Sequence, residues 1–534
     1  MDNQLIKQVT RRRFLKIMAM AGATAAIDWH SIDAMAGSMS GKDKYPVVVI
    51  GAGLGGLISA AYLSRNGFPV TLIEKHDRPG GYATAFDRAS GKYSFEVSLH
   101  ATVAENAMPQ KILSELGLWE NLKTVDVPEF CRVVHPDFDL LLPARNQEAF
   151  INLLSETFPG EKEGIRGFIQ DMVTVQAEMR GQIGKDPVMD KLEKLSLADW
   201  MAMHVHDPQL KSVLSVLWGY YGLPPSRMNA LYFAIATGEY IVHGGQYYKT
   251  RSQELSDTLM EMVAEYGGET LMQTEATRIG IDKGRVAWVE DDGGRRYPAK
   301  AVIANANTPD ILTKLLPKDS MPADYRQRME AFSPSLSSCV VWLGLNRELR
   351  GRIKGYEIVV TENSDPETEY ENIVAGNFND MGLGVTLYDN LFKGYSRPGT
   401  STMSIMTLCG YDPWRKYESD YLAGKKSAYS RAKKEMADFF VKKIERRLIP
   451  GLSDMIEVME AATPLTNRYY TGNPQGAIYG FSRPLEQLTA LDVRSPLKGL
   501  YMAGAWTHGG GYTPVMMAGR QAAEALLADW KQKG

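Results

Sequence analysis

Hydrophobic positions change rhythm along the 534-residue chain, and each rhythm predicts an element. Tyr45-Pro46-Val47-Val48-Val49-Ile50 is apolar and β-branched without alternation, as expected of a strand buried on both faces. Leu57, Ala60, Ala61 and Ser64 then recur at helical spacing up to Gly67, a C-cap, and Val70-Thr71-Leu72-Ile73 predicts a second strand. Residues 247–265 predict a helix. Residues 275–279, 285–289 and 301–306 predict strands, with turns at Asp282-Lys283-Gly284 and Asp291-Asp292-Gly293-Gly294. Near the end, 497–503 predicts a short strand, 504–511 a glycine-rich turn, and 515–530 a helix opened by Pro514. Strands alternating with helices place the chain in the α/β class.

The first 36 residues follow another logic. Thr10-Arg11-Arg12-Arg13-Phe14-Leu15-Lys16 precedes an apolar run, 17–27, and then Ala34-Met35-Ala36. Basic, apolar and small-residue regions in that order read as a secretory signal, and the run is shorter than the ~20 residues that span a bilayer. The segment resembles a bacterial twin-arginine signal peptide, which implies export of an already folded protein to the periplasm. The other reading is a basic N-terminal helix on a cytoplasmic protein.

Composition narrows the classes. Hydrophobic residues at 44% and charged residues at 23% are ordinary globular usage, so a fibrous or disordered chain is excluded. A formal charge of −3 provides no basic field for nucleic acid. Three cysteines, Cys131, Cys339 and Cys409, are too few for a disulfide scaffold, and none has CxxC spacing. His204-Val205-His206 has no neighbouring ligand cluster, so no metal is expected.

Gly51-Ala52-Gly53-Leu54-Gly55-Gly56 follows the first strand directly and opens the helix. In this GxGxxG pattern Gly51 makes the turn, Gly53 lets backbone approach a pyrophosphate, and Gly56 lets the helix pack on the strand. Glu74 ends the second strand, where a carboxylate can accept from ribose hydroxyls. At the other end, the glycine-rich turn and following helix offer free N–H groups and a positive dipole end to an anion.

Glu74-Lys75-His76-Asp77-Arg78-Pro79-Gly80-Gly81-Tyr82-Ala83-Thr84 resembles the segment after the second strand in phytoene desaturase-like and amine oxidase-like flavoproteins. Phe95-Glu96-Val97-Ser98-Leu99-His100, Asn473-Pro474-Gln475-Gly476-Ala477-Ile478-Tyr479-Gly480 and Thr507-His508 add to the resemblance. It implies a discontinuous, Rossmann-like FAD-binding domain of glutathione reductase type, from residues 45–105, 246–312 and 461–530. An α+β substrate domain would occupy 106–245 and 313–460. Expected FAD contacts are Gly51, Gly53, Gly55, Gly56, Glu74, Lys75, Gly80, Gly81, Tyr82, Ala83, Thr84, Ala276, Gly504, Ala505, Thr513, Pro514 and Val515. Gly509, Tyr512 and Ala505 depart from the family pattern, where Pro, Gly and an acid are common.

The resemblance implies hydride transfer at flavin N5 on carbon–carbon bonds of an apolar isoprenoid or lipid: desaturation, saturation or isomerisation. His508 is the candidate for proton transfer or flavin tuning, with Tyr479 and Tyr512 as weaker candidates. Two other readings stay open, a peroxide-producing amine oxidase and a non-catalytic FAD electron carrier or assembly partner. No second GxGxxG suggests a nicotinamide domain, so oxygen, a quinone or a protein carrier is the expected electron partner. Between the blocks, Leu214, Val216, Leu217, Trp218, Tyr220, Tyr221, Leu231, Tyr232, Phe233 and Ile235 form an apolar, aromatic stretch. It suits core packing first and an apolar pocket second. Lys425-Lys426, Lys433-Lys434, Lys442-Lys443 and Arg446-Arg447 lie on one predicted helix, either a solvated face or a peripheral membrane contact.

Overall fold

The computed structural model describes residues 44–531 apart from 99, 363–364 and 488–490; the predicted signal, 1–36, lies outside the described residues. Five parallel strands form the first sheet, in the order Leu500–Met502, Ala301–Ala304, Val47–Ile50, Val70–Ile73, Glu269–Leu271. All three predicted FAD blocks contribute to it. Val47–Ile50 is central and wholly buried, which accounts for its unbroken apolar run. The helix Leu54–Arg65 follows and is buried from Leu54 to Ser64.

That burial is possible because glycines let backbones touch. The C-terminal helix, Tyr512–Lys531, crosses the fingerprint helix so closely that a Cβ on Gly519 would lie 2.3 Å from Gly55 O. Ser59 Oγ donates to Gly519 O at 2.9 Å and to Gly55 O at 2.8 Å, tying the two helices across 460 residues of sequence.

A second, seven-stranded mixed sheet runs in the order Ile456–Ala462, Ser337–Leu345, Ser401–Cys409, Leu383–Thr386, Glu357–Val360, Glu129–Val134, Asp139–Pro143. It covers one side of the site, and helices between 147 and 243 pack beyond it around their own core.

Several expected boundaries shift. Tyr247 and Tyr248 are not helical. They sit in a short strand, Gln246–Tyr248, paired with Thr124–Asp126, and the helix begins only at Arg251. Both rings are fully buried, and burial of two aromatic side chains favours the extended form over the helix. The C-terminal helix begins at Tyr512 rather than Val515, and a separate turn of helix, Ala505–His508, occupies the predicted glycine-rich turn. Strand Ile456–Ala462 crosses the expected boundary at 461 and belongs to the second sheet. The boundary at 105 moves as well. Ile112, Leu113, Leu116 and Leu122 pack into the core of the first sheet, and Glu115 pairs with Arg520 of the C-terminal helix.

The Arg520 guanidinium is 2% exposed and holds Glu115 through two bonds, Nε–Oε2 at 2.8 Å and Nη2–Oε1 at 3.0 Å. A buried charge stripped of its partner is costly. Arg520 keeps a second carboxylate, Glu524, whose Oε1 lies 2.6 Å from Nη1, so Glu115→Gln should destabilise the FAD-loaded protein by about 1–3 kcal/mol, seen as a lowered midpoint in denaturant unfolding, whereas Glu120→Gln on the surface should be near neutral.

Candidate functional site

The C-terminal edge of the first sheet gathers the glycines around one side chain. Asn305 follows its strand, with its own N–H on Ile50 O at 2.8 Å and Nδ2 donating to Gly51 O at 3.3 Å. A Cβ on Gly56 would lie 2.0 Å from Gly51 O, so only glycine fits. Gly504, at φ +82°, approaches Asn305 Oδ1 so closely that a Cβ there would lie 2.3 Å from it. Asn305 thus joins the fingerprint turn to the C-terminal loop. In sequence Asn305 falls only in the predicted strand 301–306; its place after a buried parallel strand, level with the glycine turn, is the signal that marks it.

Glu74 is 9% exposed, and its carboxylate is already half engaged. Ala52 N–H donates to Oε2 at 2.7 Å and His76 N–H to Oε1 at 3.0 Å, which fixes the carboxylate and leaves lone pairs toward the interior. Gly80 N–H donates to Ala52 O at 2.7 Å and seats the Gly80-Gly81 turn against the fingerprint.

A cavity of about 1730 Å³ runs along this edge. Every candidate contact named from sequence borders it except Gly56, which instead packs under the turn. A single drug-sized ligand occupies roughly 300–1,000 Å³, so this volume suits a dinucleotide with a second ligand beside it. Bare backbone at the glycine turn, the fixed Glu74 carboxylate, and a buried Tyr82 hydroxyl with no hydrogen bond of good geometry among the described residues fit FAD. Bound FAD supplies a hydride acceptor at N5.

His508 is 5% exposed and borders the cavity. Burial, then the nearby Arg483 charge, pulls its pKa down to about 4, so the imidazole is neutral at physiological pH. Its Nδ1 has no hydrogen-bond partner of good geometry among the described residues, which suits contact with a bound group better than proton transfer. Tyr479 presents its ring beside Gly510 and gives its hydroxyl to Gly219 O at 3.2 Å. Tyr512 also borders the cavity. Its hydroxyl lies 3.5 Å from that of Tyr247, inside a cluster of buried tyrosines.

The Phe95–His100 motif divides into two functions. Glu96 is fully buried and accepts from Ser252 N–H at 3.2 Å and Tyr395 O–H at 2.9 Å, pinning its strand to the helix that starts at Arg251. His100 borders the cavity and hydrogen-bonds Tyr220, whose hydroxyl donates to Glu357. Burial disfavours the His100 cation, but Glu357, 3.5 Å away, the Ser98 backbone and Glu96 together outweigh it and raise the pKa. This chain escaped the sequence reading because its members lie 120 and 137 residues apart. Of the aromatic stretch, Tyr220, Tyr221, Leu231, Tyr232 and Ile235 reach the cavity, while Leu214, Leu217, Trp218 and Phe233 are buried in the adjoining core. His204 is held by Asp171 at 2.9 Å.

A parallel sheet with a glycine turn, a ribose-height carboxylate and a loop closing from the far end of the chain defines a dinucleotide-binding flavoprotein. The chain belongs to the flavin containing amine oxidoreductase family, which it matches over residues 54–527. It is an FAD-dependent oxidoreductase of that family's phytoene desaturase-like branch. Similar curated proteins include all-trans-retinol 13,14-reductase of Danio rerio, 22% identical over 86% of this chain and 82% of that protein. Prolycopene isomerase 2 of an Oncidium hybrid cultivar is 24% identical over 92% and 86%. 4,4'-Diapolycopene oxygenase of a Methylomonas species is 25% identical over 92% and 100%. Among solved structures, an oxidoreductase from Methanosarcina mazei matches with a TM-score of 0.63 at 18% identity, covering 90% of this chain and all of that one. Putrescine oxidase matches at 0.61 and 16%, covering 91% and 99%, and at such identities the likeness concerns the fold.

The depressed His508 pKa has a measurable consequence. An unfolded histidine takes up a proton near 6.5, whereas the folded one does so only near 4, so stability is full above about pH 6.5 and falls as the pH drops toward 4. His508→Gln should flatten this limb, with its unfolding midpoint dropping less than the wild type's between pH 6.5 and 4.5.

Proposed function

We propose that this protein is an exported FAD oxidoreductase that desaturates, saturates or isomerises carbon–carbon bonds of an apolar isoprenoid or lipid-like substrate. The observation that carries this reading is the cavity, which continues from the glycine turn to a wall of Tyr221, Leu231, Tyr232 and Ile235. Such a wall holds a long apolar chain by burial and excludes water from the reacting carbons. The names of the similar curated proteins, a retinol reductase, a prolycopene isomerase and a diapolycopene oxygenase, support the same substrate class.

Desaturation takes a hydride and a neighbouring proton from the substrate, saturation returns both, and isomerisation leaves the redox state unchanged. The proton needs a group that keeps its basicity in a buried wall. His100, supported by Tyr220 and Glu357, meets that requirement better than His508 does. Electrons leave to, or arrive from, oxygen, a quinone or a protein carrier.

Peripheral contact with a lipid surface is part of the proposal, but the predicted basic helix does not provide it as one face. Lys443 is buried, with Nζ donating to Met381 O at 2.6 Å. The better candidate is a patch in which Leu422 is 70% exposed and Tyr469 and Tyr470 are each 57% exposed, with Lys426 Nζ 4.6 Å above the Tyr421 ring. Exposed aromatic and aliphatic groups beside lysines suit an anionic interface. No helix among the described residues is long and apolar enough to cross a membrane. The Thr10–Lys16 motif supports export by the twin-arginine route.

Anaerobic flavin absorbance, screened against polyenes, acyl lipids and amines with product masses recorded, tests the reaction. Bleaching by a polyene or acyl lipid with a product two mass units lighter, reoxidation of reduced enzyme by a polyene with a product two mass units heavier, or a mass-neutral isomer formed on reduced enzyme is expected; bleaching by amines alone overturns it. For the lipid surface, co-sedimentation with phosphatidylglycerol vesicles should fall severalfold in the Leu422→Asp, Tyr469→Asp double variant, and equal sedimentation of both proteins would remove that part of the proposal.

A further inference from the structure

Arg483 is an unusual presence in the cavity wall. It follows Phe481 in an irregular segment, borders the cavity, and donates from Nη2 to Thr507 O at 2.7 Å. No carboxylate among the described residues pairs with it. Burial lowers its basicity from the ordinary arginine value, and the electrostatic partner beside it is the Tyr232 phenol rather than an acid. A guanidinium in a low-dielectric wall is costly unless an anion neutralises it.

The surroundings indicate where such an anion would sit. A Cβ on Gly509, which has φ +103°, would lie 3.6 Å from Arg483 Nε and 3.9 Å from Tyr232 Oη, so both polar heads converge on one point above bare backbone. The Tyr232 hydroxyl also has no hydrogen-bond partner among the described residues. The same wall carries Tyr221, Leu231 and Ile235, with Glu239 two turns beyond Tyr232 on its helix. One fork-shaped cation and one phenol at a single spot in an apolar chamber form a two-point site for a planar oxyanion.

We propose that Arg483 and Tyr232 form a carboxylate anchor, and that the substrate is therefore an apolar chain bearing a terminal carboxylate. This rests on the reading of the cavity as an apolar-chain site. Arg483 Nε–H donates to one carboxylate oxygen, Tyr232 donates to the second, and the chain extends along the tyrosine wall. Such an anchor fixes which carbon of the chain lies at the reacting position, because the distance from the carboxylate is set by the wall. It also bears on His508: a bound carboxylate neutralises the Arg483 charge that helps hold the imidazole neutral, so occupancy should make His508 more basic.

The test uses FAD-loaded protein and compares palmitate with methyl palmitate, binding being read from the flavin difference spectrum and by calorimetry. Wild type should bind the acid roughly ten- to a hundredfold tighter than the ester. Arg483→Met should abolish that preference by weakening the acid and leaving the ester within about twofold; Arg483→Lys should keep part of it, and Tyr232→Phe should lose part. Equal binding of acid and ester by wild type overturns the anchor while leaving the apolar-chain reading intact. Failure of both to bind overturns that reading and the anchor with it. If Arg483→Met and Arg483→Lys both lower the FAD-to-protein ratio, or shift flavin absorption without ligand while weakening acid and ester alike, the arginine serves the flavin and the proposal fails.

Discussion

The fold depends on backbone meeting backbone at one place. Asn305 stands between Gly51 O and Gly504, and the Gly55 and Gly519 backbones touch a few ångströms away. Neither contact tolerates a Cβ, so three segments that are remote in sequence can close on each other only where side chains are absent. The cost is conformational entropy in the unfolded chain, which glycine loses more than any other residue. The compensation lies in the buried helix Leu54–Arg65 and the small-residue face of Tyr512–Lys531. A site assembled this way is rigid on the cofactor side, since its walls are main chain tied into a parallel sheet.

How much of this was legible depended on whether the cause was local. The fingerprint, its strand and Glu74 could be read because turn, helix start and carboxylate lie within 30 residues and answer to backbone rules. The C-terminal element was found for the same reason, although Ala505–His508 adopts a helical turn that its glycine neighbours concealed. Tyr247 and Tyr248 were misread because helical periodicity continues through them, and only burial against Thr124–Asp126 decides for a strand. Glu115 was assigned to the wrong part of the chain, since nothing near it in sequence announces Arg520.

The same distinction separates the site's two halves. Cofactor contacts are set by motifs, whereas His100, Tyr220, Glu357 and Arg483 act through meetings across more than a hundred residues or through what fails to meet them. Arg483 reads as an ordinary charged residue after Phe481-Ser482, and its meaning comes from its place beside Tyr232 and Gly509, which only the packed structure can reveal. His508 is the converse case. Its position in the Thr507-His508 pair was visible, but its charge state was not, because burial and Arg483 determine it together.

The two histidines then divide the work by their surroundings rather than by their type. His100 lies beside an acid that offsets its burial and keeps it basic, while His508 lies beside a cation that deepens the effect of burial. Proton chemistry on carbon needs a base on one wall, and a neutral neighbour elsewhere avoids a second, competing proton. A cation without a carboxylate partner among the described residues would draw an acidic chain end to its own wall, away from the Glu357-supported base. Polarity in this cavity is therefore arranged so that the orientation of a long apolar molecule, which burial alone leaves undetermined, is fixed by charge.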